Sequence, residues 1–452
     1  MAKKMMRIGM SIRGLGYHPA AWRHPDVPAD GTMLFEHYVR SAQSAERGKC
    51  DLIFFADGIG IRERDAPRGS LARSGYEIVE MEPMTLLPAL AVVTNHIGLV
   101  TTASTTYNEP YHIARKFATL DLISKGRAGW NMVTSWSEAE AKNFNREEHL
   151  DYDTRYERAA EFVEVVKGLW DGWEKDAFLF DVKGGQFYDE SKAHVLNHKG
   201  KHFQVKGPLN VAGMPQGHPV IVQAGASEQG REIAAETAEV VYAVHGKLAQ
   251  AQAYYADVKR RMAKYGRDRD DLKILPAICP VVGRTVAEAQ AKFDQLQELL
   301  DPLVGLARLY NTFGDLSGFP LDEPVPVDAL GPQEIRSMSE ALLKRVREEK
   351  PTIRELYKEV AGRVTGFGVI GTPSQVADAM EEWLVNDACD GFNVTPTHLP
   401  GGCDDFVDLV VPELQRRGIF RKEYEGKTLR ENLGLKPTVN RYTAARSRNA
   451  AE

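Results

Sequence analysis

Cysteine is scarce in this chain and long apolar runs are absent from it. The four cysteines among 452 residues, Cys50, Cys279, Cys389 and Cys403, are scattered without C-x-x-C spacing. That excludes a disulfide scaffold and offers no metal-ligand pattern, so no metal is expected and the thiols read as small buried residues. No stretch approaches the ~20 apolar residues of a membrane helix, so no membrane span is expected. No apolar segment of signal-peptide length follows the basic Met1–Arg7, and a cytoplasmic location is the expectation. The formal net charge is −6 and no basic stripe is interleaved with aromatics, which argues against nucleic acid as a partner.

Familiar phosphate and nucleophile motifs are missing too. There is no G-x-x-x-x-G-K-[ST] loop and no G-x-S-x-G elbow. Gly14-x-Gly16 lacks the third glycine of a dinucleotide fingerprint, and Pro19 spoils the helix that should follow.

What is present is alternation. Short apolar runs alternate with helical patterns, the mark of βα units around a parallel sheet. Strand candidates are Met6–Ser11, Asp51–Ala56, Ile97–Thr102, Ala128–Val133, Val220–Ala224, Val240–Val244, Ile274–Val282 and Gly391–Thr395. Helices are expected over Leu34–Arg47, Pro83–Val93, Pro110–Ile123, Tyr152–Trp170 and Ser374–Val385, among others. The pattern breaks twice, at about 176–217 and 301–365. Eight strands with two insertions, after strands 4 and 7, predict a TIM-type (β/α)8 barrel. A doubly wound sheet competes with it on count alone. The expected organisation is one domain over 1–435 and a polar tail over 436–452.

In a parallel barrel the active site lies at the carboxyl ends of the strands. His18, Trp22 and His24 follow strand 1; Asp57 follows strand 2; Thr102 and Ser104 end strand 3; Asn131, Thr134, Ser135 and Trp136 end or follow strand 4; Tyr242 and His245 follow strand 6. After strand 5, Gln223–Gly230 (QAGASEQG) places Ser227 to cap the next helix, where free N–H groups and the helix dipole suit a phosphate monoester. An ordinary capped βα turn is the other reading of the same residues. Tyr152 and Tyr156 share one helix face and can either reach that phosphate or pack the helix on the barrel. His18 is suited to moving protons near neutral pH, or is a plain loop residue.

Several strings in order carry a resemblance: Gly16–Pro25 (GYHPAAWRHP), Ala45–Asp57 (AERGKCDLIFFAD), Thr101–Arg115 (TTASTTYNEPYHIAR), Ser124–Ser135 (SKGRAGWNMVTS), Tyr152–Ala159 (YDTRYERA) and Gly391–Gly402 (GFNVTPTHLPGG). From about Arg7 to Leu435 the chain resembles the bacterial luciferase-like flavin monooxygenases. The branch it resembles holds nitrilotriacetate monooxygenase component A, dibenzothiophene-sulfone monooxygenase and long-chain alkane monooxygenase.

The resemblance implies the oxygenase component of a two-component system. Reduced FMN (FMNH2) from a separate NAD(P)H:FMN reductase would react with O2 to a flavin peroxide, and one oxygen atom would pass to a small organic substrate such as an aminopolycarboxylate or organosulfur compound. Asp57, Thr102, Ser104, Asn131, Thr134, Tyr152 and Tyr156 would contact FMN, with Ala226 and Ser227 on its phosphate. Tyr152 stands where some relatives have a His. His18 would act on protons beside the substrate, and Trp22 and Tyr242 would line its pocket. Arg13, Arg23 and Arg62 are candidates for an anionic substrate. A homodimer or homotetramer is implied, and the two insertions are expected to fold over the rim as lids. A deazaflavin-dependent hydride-transfer enzyme and a non-catalytic flavin-binding protein remain the alternatives.

Overall fold

The computed structural model describes residues 4–61, 64–75, 78–135, 137–326, 337–362 and 366–449. Arg62 and Trp136 therefore lie outside the described residues, as does part of the second insertion. One sheet holds β1 (Arg7–Ser11), β2 (Leu52–Phe55), β3 (Gly98–Ser104), β4 (Ala128–Val133), β5 (Val220–Gln223), β6 (Val240–Ala243), β7 (Lys273–Val282), β8 (Phe367–Gly371) and β9 (Gly391–Val394). Strand order runs β6-β5-β4-β3-β2-β1-β9-β7, and the β6–β7 pair closes it into an eight-stranded parallel barrel. The TIM-type expectation holds, and each of the eight expected strands is a stave. β8 stands outside the closed ring and pairs with the far half of β7, Ile278–Val282.

Period-two alternation sorts the side chains. In β3, Leu99 and Ala103 face the surrounding helices, while Val100 points into the barrel with Leu52, Phe54, Val220, Val222, Val240, Tyr242 and Leu275. Leu429, Leu433 and Leu435 complete this inner cluster from below. A Cβ on Gly98 would sit 2.4 Å from Leu429 Cδ1, so glycine there makes room for the floor. Each leucine so buried contributes about 1.5–3 kcal/mol. The middle of the barrel is thus apolar, and the inward Thr102, Asn131 and Asn393 stand toward the strands' carboxyl ends.

The helices that clothe the barrel include α1 (Phe35–Arg47), α2 (Pro83–Ala91), α3 (Pro110–Ile123), α4 (Tyr152–Trp170), α5 (Glu228–Thr237), α6 (Leu248–Met262) and α7 (Val286–Glu298). The first insertion does not act as a lid. α4 runs from the rim toward the floor, so the chain leaves its end at the far side of the barrel. The hairpin formed by His198–Lys199 and Gln204–Val205 then lies along α4's outer face, where Glu161 accepts from His198 Nε2 and from the His202 and Phe203 N–H groups, each at 2.9 Å. The second insertion begins with α8 (Pro302–Phe313), which forms a small core with the Ile353–Gly362 helix and takes in Ala20 from the loop after β1.

The terminal segment is more than a polar tail. Its Arg441–Asn449 helix is tied down by Arg441 on Asp171 at 2.9 Å and by Tyr442 stacked on His194 at 4.0 Å. Among the described residues no helix is long and apolar enough to cross a membrane, and no group of three His, Cys, Asp or Glu gathers as for a metal ion.

Candidate active site

Above the apolar floor the barrel opens into a cavity of about 920 Å³ at the carboxyl ends of the strands. Its depth is polar. Thr102 and Asn131 are register partners across β3 and β4, and Asn131 Nδ2 donates to Thr102 Oγ1 at 2.7 Å. Asn131 Oδ1, Asn393 Oδ1, the Tyr242 hydroxyl and His245 Nε2 line the space, buried and without hydrogen-bond partners. Buried polar atoms are rarely left so, because each costs about 1–3 kcal/mol. Their convergence on one cavity marks a place for a flat ligand rich in hydrogen-bonding edges. The Tyr242 ring tilts against Phe54 at 4.4 Å and supplies an apolar wall.

Beside this depth lies a small hydroxyl-lined cradle at a helix N-terminus. β5 ends at Gln223, and the chain turns through Ala224-Gly225-Ala226 to Ser227, the N-cap of α5. The turn is tight: a Cβ on Gly225 would meet Gly230 Cα at 2.8 Å, and one on Gly230 would meet Gly225 Cα at 2.9 Å. Two glycines are therefore required for the first turn of α5 to approach the strand. Ser227 Oγ accepts from the Gly230 N–H at 3.1 Å and from the Tyr152 hydroxyl at 2.5 Å, and the Tyr156 hydroxyl lies 3.2 Å away. Ala226 lines the cavity next to this cluster. Tyr152 remains 38% exposed, so the cluster faces solvent at the mouth.

Asp57 follows β2 on the opposite wall. Burial pushes its carboxyl up to about 6, with Glu82 and Glu140 adding like charge and Arg13 opposing. Glu140, only 7% exposed, also lines the cavity, and its Oε2 has no partner. Arg13 lies 3.8 Å from Glu80 on the same wall. The mouth is formed by segments 57–61, 78–80, 137–143 and 244–245. Asn143 Nδ2 ties two of them by donating to the Ile59 carbonyl at 3.1 Å. These short loops stand where the insertions were expected.

Of the residues expected at the site, Asp57, Thr102, Asn131, Ala226 and Tyr242 line the cavity, and Tyr152, Tyr156 and Ser227 form the cradle. Ser104 and Thr134 stand behind this layer. Ser104 Oγ is 2.8 Å from Ser135 Oγ and accepts from the Thr106 N–H, while the Thr134 carbonyl accepts from Thr106 Oγ1 at 2.7 Å. Among the described lining residues His18, Trp22 and Arg23 do not appear. His18 is 1% exposed; its Nδ1 accepts from the Ala20 N–H at 3.1 Å, and burial lowers its pKa to about 4 against the favourable contact of Gln297. Trp22 packs on Gly75, and Arg23 donates to the Leu299 carbonyl.

Glu140, Asn143 and Asn393 are among the lining residues that escaped the sequence reading. Asn393 carried a signal. It is a polar residue inside an otherwise apolar strand, at an inward position between Gly391 and Thr395. Glu140 and Asn143 lie at a one-turn helix, Glu138–Lys142, too short to show a period.

The family model of luciferase-like monooxygenases matches residues 16–390. The chain is 50% identical to N-acetyl-S-(2-succino)cysteine monooxygenase of Bacillus subtilis (strain 168), over 97% of this chain and 99% of that protein. It is 48% identical to nitrilotriacetate monooxygenase component A of Aminobacter aminovorans, over 96% and 97%. The crystal structure of a long-chain alkane monooxygenase superposes with a TM-score of 0.83 at 35% identity, covering 99% of this chain and all of that one. With its barrel, its polar inner rim and this kinship, the chain belongs to the luciferase-like monooxygenase family and is a flavin-dependent monooxygenase.

Proposed function

We propose that the protein is the oxygenase component of a two-component monooxygenase that takes up FMNH2 and O2 and transfers one oxygen atom to a small organic substrate. The observation that carries this reading is the joining of two features: a cradle built by Ser227, Tyr152 and Tyr156, and a cavity whose buried polar atoms await partners. The residues fit FMN. The phosphate would sit on Ser227 and the first N–H groups of α5, where the helix dipole favours an anion. Thr102, Asn131 and Asn393 would meet the ring edges, with Ser104 and Thr134 holding that layer from behind. Reduced FMN, when bound, supplies the oxygen-activating chemistry.

The chain's own part is to bind, orient and keep water out. The 57–61 and 137–143 segments close over the mouth and limit stray protons, which would waste oxygen as hydrogen peroxide. Asp57, with its pKa near 6, can hold or release a proton at the carboxyl on the substrate side. His18 is neutral at pH 7 and acts on Tyr17, its cavity-lining neighbour, by holding the loop after β1. Tyr242 walls the substrate space, and Trp22 supports the same loop from outside it. Aminopolycarboxylates and organosulfur compounds are the substrate classes, with Arg13 the cation within reach. A separate NAD(P)H:FMN reductase supplies the reduced flavin. The protein works in the cytoplasm as a homodimer or homotetramer.

The test is a substrate screen coupled to an unrelated FMN reductase, reading product and oxygen uptake together. Product formation with FMN supports the reading. Protection of the fold by a deazaflavin but not by FMN, or binding without any oxygen transfer, overturns it.

A further inference from the structure

A second concavity, of about 470 Å³, lies outside the barrel mouth between the starts of α3 and α4, with Phe144 and Arg146 on its edge. Its walls gather cations from three segments: Lys116 from α3, one turn after His112; Arg146 from the loop; and Arg158 from α4. Glu109 is the one acid among the described lining residues.

Arg158 is held in an unusual way. Its guanidinium lies over the Phe203 ring at 4.5 Å, Nη2 reaches the Asn108 carbonyl only at 3.4 Å, and Nη1 is buried with no partner. Burial lowers its pKa, Glu109 opposes that, and Arg146 adds like charge. A buried guanidinium N–H without an acceptor is costly, and so is bringing a second arginine toward it. An oxyanion in the groove offsets the repulsion between the two arginines, and a guanidinium fork matches carboxylate and phosphate oxygens. Tyr107, stacked with Phe144 at 5.0 Å, gives the groove one flat wall.

The groove is separate from the flavin cavity. The chain segment between them is shared: Ser137, Glu140 and Asn143 face the cavity, whereas Phe144 and Arg146 face the groove. We propose that this groove binds a small di- or trianion, a phosphate or a polycarboxylate, at a site of its own.

The experiment is equilibrium dialysis of the full chain against labelled inorganic phosphate and, in a second arm, labelled citrate. Chloride fixes the ionic strength, and each arm is run with and without saturating FMN. The expected result is one bound anion that FMN does not displace. The double variant K116E/R146E, altered at two exposed side chains, weakens that anion by about tenfold or more, the scale of one charge-assisted hydrogen bond. FMN affinity of the variant stays at the wild-type value. The arm with the tighter binding names the ligand as phosphate or polycarboxylate. Displacement of all bound anion by FMN, unchanged anion binding by the variant, or binding no tighter than chloride would each overturn the proposal. Because the flavin site is followed separately in the same samples, its failure would be seen on its own.

Discussion

The Tyr152 hydroxyl donates to Ser227 Oγ at 2.5 Å, tying the first turn of α4 to the cap of α5 across two neighbouring strands of the barrel. The same oxygen already caps the Gly230 N–H. An arriving phosphate would therefore meet two phenols, one hydroxyl and a helix N-terminus that are already in place.

The first prediction follows from that preorganisation. Ser227→Ala should weaken FMN binding by about 1–2 kcal/mol, since it removes both a cap and a charge-assisted donor. Tyr152→Phe should cost less, because Tyr156 remains. Riboflavin, lacking the phosphate, should bind wild type much more weakly than FMN, and the Ser227 variant should narrow that gap. Fluorescence titration of both flavins gives the comparison. Equal affinities for FMN and riboflavin in wild type would remove the phosphate from this loop.

The second prediction concerns Asp57. Its folded pKa is raised, to about 6 from an ordinary 3.8, chiefly by burial. A raised acid binds its proton more tightly in the folded state, so folding loses stability as pH rises from about 4 to 6 and stays low above it. Asp57→Asn removes that loss. The variant should gain about 1–2 kcal/mol at pH 8 and nothing at pH 4. Denaturant melts of the flavin-free protein at the two pH values measure it; an equal gain at both would mean that the carboxyl is not strained by burial.

Much of this was legible because barrels write their pattern plainly. Ala128–Val133 and Tyr152–Trp170 lie where their runs and periodicity place them, since a buried parallel strand must be apolar and a covering helix must keep one apolar face. β8 was not legible. Its first four residues, FGVI, alternate half-exposed and exposed positions, and the strand pairs with the projecting half of β7. The cradle was legible because a cap has a local signature at Ser227. His18 was harder: sequence places it on the rim loop, but only packing shows its ring turned toward Gln297 of α7 while Tyr17 faces the cavity. The lid role given to the first insertion failed for a similar reason. Insertion length is visible in sequence, but the end of the barrel from which it departs is not.

The third prediction concerns the source of electrons. The proposed flavin site takes up the cavity, and Leu429, Leu433 and Leu435 close the floor below it. Purified protein with FMN should therefore not oxidise NADH at a useful rate. Adding any FMN reductase should support oxygen transfer. Turnover of NADH by this chain with FMN alone would end the two-component assignment.

The last prediction separates two roles for His18. A group that donates or accepts the reaction's proton contributes about 10²–10⁴ to the rate, and its loss removes a limb of the pH profile. A residue that only holds the loop behaves otherwise. With a pKa near 4 the His18 imidazole is neutral throughout the working range, and its Nδ1 is engaged by the Ala20 N–H. His18→Ala should therefore loosen Tyr17 and let water in, so that the yield of product per reduced flavin falls and hydrogen peroxide rises in its place. The pH profile of the remaining activity should keep its shape, and His18→Asn, which can still accept from Ala20, should recover part of the yield. FMN affinity should stay near wild type, because the cradle lies across the barrel on α4 and α5. Product and peroxide are counted per reduced flavin, with the flavin reduced chemically, at several pH values. Loss of a pH limb in His18→Ala, without rescue by Asn, would place His18 in the proton transfer itself. An unchanged product-to-peroxide ratio would leave it no part in shielding the site.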